Sequence, residues 1–329
     1  MFKSKTKYTW EGWESSGKED WVFSVKHPCE LIGVHAKLID AQLKDSEKVG
    51  YCIYSPRVSS TSTPFGFEAA ESSSGVCITD TRFIISNNKH IKGVEPTITS
   101  INFEDILYFN IGSAMLLSWF SLGFISQGES KQLTIIFSSN GKHHFQKALR
   151  VFKKHNLAIN TDDFKLDSSS PAAFIHRIKD KIHRDYLKVF ISDQEKCILT
   201  FSCRYVWEKV LARRSLFRQR EQTTFITSKA TVLLTNKALM IARDAVESSI
   251  GISLDVLNIS LDKARSIVLF GENSDTAKIH KFKISFNNEV RQDVLEISFT
   301  DIDEETKIFL NDIPSLLNLT PSLNAPWHK

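Results

Sequence analysis

The chain has 329 residues, 42% of them apolar, and its 42 basic and 38 acidic side chains leave a net charge of +4. That length exceeds what one hydrophobic core usually serves and fits two domains of about 130–150 residues each. Apolar content and near-balanced charge are those of an ordinary globular protein, and so small a net charge argues neither for nor against a nucleic-acid partner.

Five cysteines (Cys29, Cys52, Cys77, Cys197 and Cys203) are an odd number, and none form a C-x-x-C pair. Cys52, Cys77 and Cys197 sit inside apolar runs, where a free thiol behaves as a small buried hydrophobe, the pattern of a reducing compartment.

Residues 1–27 form an N-terminal extension holding Trp10, Trp13 and Trp21 without a clear period. It is expected to pack as an extra strand or to lie on a domain surface, with the tryptophans as anchors. Residues 1–8 alternate Lys with polar side chains and lack the apolar centre of a signal peptide. Residues 38–48 read as a short helix ending in an acidic-basic signal, followed by a strand-like run, Tyr51-Cys52-Ile53-Tyr54. Val76-Cys77-Ile78-Thr79, Asp80-Thr81 and Arg82-Phe83-Ile84-Ile85 then read as strand, tight turn and strand, because turn tips favour Asp and Asn. Ile101-Asn102-Phe103-Glu104-Asp105-Ile106 continues the strand pattern. The most apolar run, residues 115–125, is too short to span a bilayer and is broken by Ser118, Ser121 and Gly123, which favours a buried strand pair. After the strand Leu133-Thr134-Ile135-Ile136-Phe137, four apolar residues at i, i+3, i+4 and i+7 (Phe145, Ala148, Leu149, Phe152) predict a helix with one buried face.

A polar linker, residues 159–170, precedes Pro171, which opens a helix with Ser170 as its cap. That helix carries Arg177, Lys179, Lys181, Arg184 and Lys188 beside an apolar set of Phe174, Ile175, Ile178, Ile182 and Leu187. Such a helix can lie on an anionic membrane, but the favoured expectation is that it packs its apolar face on the neighbouring domain. From here the earlier order returns. Residues 186–196 repeat 38–48, Cys197-Ile198-Leu199-Thr200-Phe201 is a strand, and Val232-Leu233-Leu234-Thr235, Asn236-Lys237 and Ala238-Leu239-Met240-Ile241 repeat the hairpin. Ile252-Ser253-Leu254-Asp255-Val256 matches residues 101–106, Phe282-Lys283-Ile284-Ser285-Phe286 matches 133–137, and a strand over 294–300 comes next. A last helix is expected from Ile302, Phe309, Ile313 and Leu316, with Asp301 and Glu304 at its start and Pro314 ending or kinking it. Residues 319–329 read as a loose tail.

One pattern therefore occurs twice, about 150 residues apart, and the two copies are expected to be two versions of one domain. The layout of helix, six or seven short strands and a closing helix resembles the pleckstrin-homology (PH) superfold, and more closely its GRAM-like and bacterial PH-like branches. Their hairpin motif reads Ile/Leu-Leu-Thr-Asn/Asp-x-Arg-Leu-Ile. The first copy carries it through Thr79, Asp80 and Arg82; the second departs from it with Ala238 in place of the arginine. The resemblance covers roughly residues 28–158 and 171–318. It implies an α+β fold of two PH-like domains, each a strongly bent antiparallel sheet or partly open barrel closed by a C-terminal helix.

No Gly-rich phosphate loop, G-x-S-x-G elbow, H-E-x-x-H or Cys/His zinc spacing is present, so no catalytic residue, cofactor, metal or small-molecule substrate is expected. His143 and His144 are adjacent on a helix and point about 100° apart, which is not a chelating arrangement. The sequons at Asn258 and Asn318 read as chance matches in an intracellular chain.

The sharpest feature is a basic cluster, Lys209, Arg213, Arg214, Arg218 and Arg220, uninterrupted by any acidic residue. It falls between the strand from Cys197 and the next strand, read as starting near Thr223. In lipid-binding PH domains that loop carries a Lys-x(n)-Lys/Arg-x-Arg pattern which holds inositol phosphates, and Lys209 with Arg218-Gln219-Arg220 is similar to it. Guanidinium forks pair bidentately with phosphate oxygens, which suits such a site. The corresponding loop of the first copy, residues 55–74, sets Arg57 against Glu68 and Glu71 and is not expected to bind phosphate. Lys142, Lys147, Arg150, Lys153 and Lys154 are expected to line the polar side of the first closing helix.

These readings converge on a non-enzymatic, cytoplasmic adaptor, peripheral at a membrane, with anionic membrane lipids as its expected partner. The alternative is a protein-interaction scaffold of histone, acidic-peptide or sorting-complex type, since GRAM-like domains often lack the lipid site. Aromatics are not interleaved with the basic residues beyond Phe217, which argues against nucleic acid.

Overall fold

The computed structural model describes residues 21–58, 72–89, 92–114, 117–154, 171–192, 194–203, 206–212, 220–227, 229–246, 252–273, 278–286 and 294–300. They fall into two compact units, the first made of most of the chain up to Asn156 and the second of most of the remainder.

In the first unit, β1 (Phe23–Val25) lies antiparallel on β2 (Val49–Ser55), with Phe23 opposite Tyr54. Part of the N-terminal extension thus adds an edge strand, while Trp10 and Trp13 lie outside the described residues. Between these strands runs α1 (Val34–Gln42), which starts and ends earlier than the 38–48 expected from sequence. The chain after it turns instead of coiling, through the Glu47 N–H donated to Lys44 O at 3.0 Å. Then come β3 (Ser73–Thr79), β4 (Arg82–Asn88) and β5 (Thr97–Asn102), completing an antiparallel sheet in the order β1-β2-β3-β4-β5.

Next, β6 (Ile106–Ala114), β7 (Leu117–Ser126) and β8 (Glu129–Ser138) neighbour one another in the order β8-β7-β6, and α2 (Lys142–Lys153) closes the unit. The apolar run at 115–125, expected as a strand pair, supplies only one strand, β7, whose hairpin partner is β6.

The middle of the five-stranded sheet is covered on both faces, so β3 is buried at every position, its polar Ser73, Ser74 and Thr79 included. One face receives α1: Leu31, Ala36 and Ile39 pack with Cys52, Cys77 and Ile84. The other meets a phenylalanine core. Phe83 on β4 contacts Phe103, Phe120 on β7 and Phe152 on α2, while Phe145 on α2 stacks on Phe137 of β8 with ring centroids 4.1 Å apart. The predicted stripe of Phe145, Ala148, Leu149 and Phe152 is the buried face of α2.

In the second unit, α3 (Pro171–Ile175) and α4 (Lys181–Lys188) replace the single amphipathic helix expected from sequence. Asp180 is extended and caps α4, its carboxylate accepting the His183 N–H at 2.9 Å, so the helix restarts there. The restart rotates the face: Ile182, assigned to the apolar side, is 61% exposed, and His183 is buried instead. Helix α4 packs on β12 (Ala230–Thr235) and β13 (Ala238–Val246) of its own unit.

These two strands join β9 (Cys197–Cys203) and β14 (Ile252–Ser260) in the antiparallel order β9-β12-β13-β14. Two further strands, β10 (Val206–Ala212) and β11 (Arg220–Thr227), pair with each other between β9 and β12 in sequence. A three-stranded antiparallel sheet, β15 (Ala264–Asn273), β16 (Lys278–Phe286) and β17 (Val294–Thr300), comes after them. The fold is α+β with open antiparallel sheets, none of which closes into a barrel among the described residues. The expected helix from Ile302 to Leu316, with Pro314, lies outside the described residues, as do Ser170, Asn318 and the tail.

The repeat is visible as one hydrogen-bond pattern made twice. Thr79 Oγ1 accepts the N–H groups of Thr81 (3.2 Å) and Arg82 (3.1 Å); Thr235 Oγ1 accepts those of Lys237 (3.2 Å) and Ala238 (3.1 Å). The Asp80 N–H donates to Lys48 O (3.0 Å) and the Asp80 carboxylate accepts the Lys48 N–H (3.2 Å). Asn236 repeats both bonds with Lys196, at 2.9 Å each. Each threonine thus satisfies turn amides that the strands leave open, which explains a Thr before both turns.

The same pattern corrects one alignment. The Phe103 N–H donates to Thr81 O at 2.9 Å and the Leu261 N–H to Lys237 O at 3.0 Å, so Phe103 matches Leu261. Residues 101–104 therefore correspond to Ile259-Ser260-Leu261-Asp262, not to Ile252-Ser253-Leu254-Asp255. The tetrapeptide Ile-Ser-Leu-Asp occurs twice within this stretch, and only the backbone partner distinguishes the copies.

Candidate functional site

Strands β9 and β12 pair directly, Phe201 opposite Val232, so the chain between them is an insertion at the edge of that pairing. The insertion is not the simple loop expected from sequence. It rises as β10, returns as β11, and pairs from Val206 opposite Thr227 to Ala212 opposite Arg220, with a register shift between Val206 and Trp207. Valines on β10 and the Thr223-Thr224-Phe225-Ile226-Thr227 run on β11 supply the β-forming side chains; the density of arginines between them hid the ribbon.

Lys209 is consequently a strand residue, opposite Thr223, and Arg220 is the first residue of β11, about three positions before the expected strand start. Their rows are three residues apart, about 10 Å along the ribbon. Arg213, Arg214, Arg218 and Phe217 lie outside the described residues. In the first unit the equivalent connection joins β2 to β3, Ser55 opposite Ser74; Arg57 is exposed there, and Glu68 and Glu71 lie outside the described residues.

Each unit also buries a histidine that sequence reasoning passed over. His35 of α1 bonds through Nδ1 to Ser86 Oγ (2.7 Å) and through Nε2 to Ser73 Oγ (2.9 Å). His183 of α4 bonds through Nδ1 to Thr231 Oγ1 (2.9 Å) and through Nε2 to Asp244 Oδ1 (3.0 Å). The signal was available: both histidines stand twelve positions before the glutamates Glu47 and Glu195.

A Thr–His–Asp line has the residue types of a nucleophile, base and orienting acid. His183 and Thr231 are nevertheless fully buried, and a nucleophile must meet a substrate carbonyl. The line ties α4 to β12 and β13, as His35 ties α1 to β3 and β4. Beside it the Asp180 carboxylate also pairs with the Lys229 ammonium. Burial pushes the Asp180 carboxyl up, but Lys229 and the His183 amide outweigh it and hold the group below its usual range.

The polar side of α2 differs from expectation at two positions. Lys153 is 7% exposed. Lys142 is half-buried, donates to Ser113 Oγ at 3.1 Å, and is pushed down by burial to about 7. His143, Lys147, Arg150 and Lys154 are exposed. The His143 and His144 rings lie 3.8 Å apart, with Nδ1 of His143 against Asn140 O and Nδ1 of His144 against the Tyr51 hydroxyl. Burial, with the charges of His143 and Lys147, pushes His144 down to about 4.

Among the described residues no group of three or more His, Cys, Asp or Glu side chains is placed to hold a metal, and no helix is long and apolar enough to cross a membrane. Asn258 is 1% exposed, so its sequon is inaccessible in the folded chain. Comparison with protein-family models, characterised proteins and solved structures finds no match.

Proposed function

We propose that the chain is a non-enzymatic binding protein of two PH-like domains, and that its second domain recognises anionic phospholipid headgroups through Lys209, Arg213, Arg214, Arg218 and Arg220. Support for the PH-like reading comes from strand order. Four antiparallel strands (β2–β5) are followed by three (β6–β8) and a helix in the first unit, and four (β9, β12–β14) by three (β15–β17) in the second. In this reading each unit is a bent sheet that its closing helix covers.

The observation that carries the ligand is the place of the basic cluster. It sits on the insertion between two directly paired strands, β9 and β12, where lipid-binding PH domains resemble one another in holding inositol phosphates. A segment rich in guanidinium groups supplies bidentate donors that match phosphate oxygens.

The test is co-sedimentation of the full chain with phosphatidylcholine, phosphatidylserine and phosphoinositide vesicles at about 0.15 M salt, where weak surface attraction is largely screened. Binding that requires a phosphoinositide and is lost in Arg218→Glu/Arg220→Glu, with an unchanged circular dichroism spectrum, supports headgroup reading. Equal phosphoinositide binding by the double variant refutes it. One observation favours a second reading as a protein-interaction scaffold: β10 and β11 pair only with each other among the described residues, so the ribbon has edges that an acidic extended peptide could join. A chain that ignores all vesicles but retains such a peptide would establish that reading.

A further inference from the structure

Helix α2 has twelve residues and not one carboxylate. Its inner face is the phenylalanine core. On the outer face His143, Lys147, Arg150 and Lys154 are all exposed, and their spacing of four, three and four residues places them on one line along the helix. The two other lysines do not belong to this line, since Lys153 is buried and Lys142 is tucked against Ser113.

A second, independent feature stands at the start of the same helix. Gly141 immediately precedes α2, and a methyl group there would overlap the side chain of Val22. Val22 is buried against that glycine, which sets the backbone of its neighbour Trp21 near the start of α2. Trp21 is 59% exposed, the most solvent-exposed aromatic among the described large hydrophobics. Leaving an indole in water is unfavourable. Core-facing positions along the same segment, Val22 and Val25, are buried normally.

An exposed indole beside a line of cations is the combination that an anionic bilayer surface takes up best. The indole settles at the headgroup level with its ring among acyl carbons and its N–H in the polar layer, while lysine and arginine meet the phosphates.

We infer that the first unit carries its own docking surface for an anionic lipid bilayer, anchored by Trp21 and held by Lys147, Arg150 and Lys154. The inference rests on the membrane half of the preceding reading, but it concerns a different unit and a different lipid requirement: surface charge density, not a particular headgroup.

The experiment uses the full chain with vesicles of phosphatidylcholine containing phosphatidylserine and no phosphoinositide. Lys147→Glu/Lys154→Glu should weaken partitioning at least about tenfold, given the strength of cation attraction near an anionic surface, and Trp21→Ala should weaken it several-fold without altering the circular dichroism melt. Lipids brominated near the headgroup should quench part of the tryptophan emission of the wild type, and Trp21→Phe should lose that part. Arg218→Glu/Arg220→Glu should leave binding to these vesicles intact and remove only the gain from added phosphoinositide. If wild type binds but the α2 and Trp21 variants bind equally well, the docking surface is refuted while headgroup reading by the second unit stands. If the α2 variant loses binding to vesicles, RNA and acidic peptides alike while Trp21→Ala changes nothing, the stripe is a general anion patch and the bilayer assignment falls. Wild type that ignores every vesicle overturns both.

Discussion

Arg82 holds Glu47 by two parallel hydrogen bonds, Nε to Oε1 and Nη2 to Oε2, both 2.6 Å, with the side chains 9% and 5% exposed. Nη2 also donates to Gln42 O at the end of α1, at 2.7 Å. The pair therefore clamps helix, turn and hairpin of the first unit. In the second unit Ala238 takes the arginine's place, and Glu195 is held by Thr235 Oγ1 at 2.9 Å and the Ser192 N–H at 3.2 Å.

Arg82→Ala should destabilise the first unit by about 3 kcal/mol, because it strands a buried carboxylate. The pH dependence comes from Glu47, which Arg82 holds down at about 2 against the opposing effect of burial, with help from the Lys44 amide and the Thr81 hydroxyl. A carboxyl depressed in the folded state stabilises above its unfolded value of 4.5, and that contribution is lost as pH falls towards 2. Urea midpoints of wild type and variant should therefore differ most near neutral pH and converge in acid. A gap independent of pH would show that the ion pair is not its source.

The two buried histidines are served by exchanged partners. In the first unit Gly75 is opposite Ser86, and in the second Thr231 is opposite Ala242; the hydroxyl that meets the histidine Nδ1 has moved across the ladder. The glycine is required by close approach, since a Cβ at Gly75 would lie 2.8 Å from both His35 Cβ and Ser86 Oγ. Gly75→Ala should cost about 1–3 kcal/mol by overpacking. Ser86→Ala should cost about 1–2 kcal/mol by removing a buried hydrogen-bond partner. In the double variant the two costs should sum to less than their total, because one of the two clashes has gone. Strict additivity in denaturant melts would refute this coupling.

What the sequence reveals tracks the range over which each feature is determined. The hairpins at Thr79 and Thr235 were legible because a strand, a threonine-capped turn and a second strand are set by neighbours within ten residues. The stripe on α2 was legible for the same reason. The break at Asp180 was not, because a helical apolar pattern runs through it and only the cap shows that Ile182 turns outward and His183 inward. The β10–β11 ribbon was hidden by composition: arginines read as loop, although the residues around them are good strand formers. The basic cluster's position between paired strands could be read, but the place of Lys209 and Arg220 on those strands depends on a register that no local signal carries.

The cysteines give a test of the second layer of the core. Cys29 is partly exposed, whereas Cys52, Cys77, Cys197 and Cys203 are buried. Cys52 and Cys77 stand opposite each other on β2 and β3, and a hydrogen bond from Cys77 together with burial raises the Cys52 thiol well above its ordinary value. Thiolate is the reactive form, so such thiols are inert. Iodoacetamide on the native chain should modify Cys29 first and the other four only on unfolding, as read by intact mass and peptide mapping. Early labelling of Cys52 or Cys77 would mean that α1 does not cover the sheet as described.

Lys142 provides a last prediction, in which the substitution stabilises the fold instead of weakening it. Burial holds its ammonium down at about 7, against 10.5 in the unfolded chain. Between those values the unfolded chain binds the extra proton, so this group makes stability climb as pH rises from about 7 towards 10 and leaves it flat in acid. Lys142→Met keeps the packing and deletes the charge, at the loss of the bond to Ser113 Oγ. The variant should melt above wild type near neutral pH, and the gap should narrow steadily as the solution becomes alkaline and the wild-type lysine loses its proton. Other groups that titrate in the same window cancel in this comparison, because they are present in both chains. Parallel melting curves across the window would place Lys142 in water and remove the reason for excluding it from the cationic line on α2.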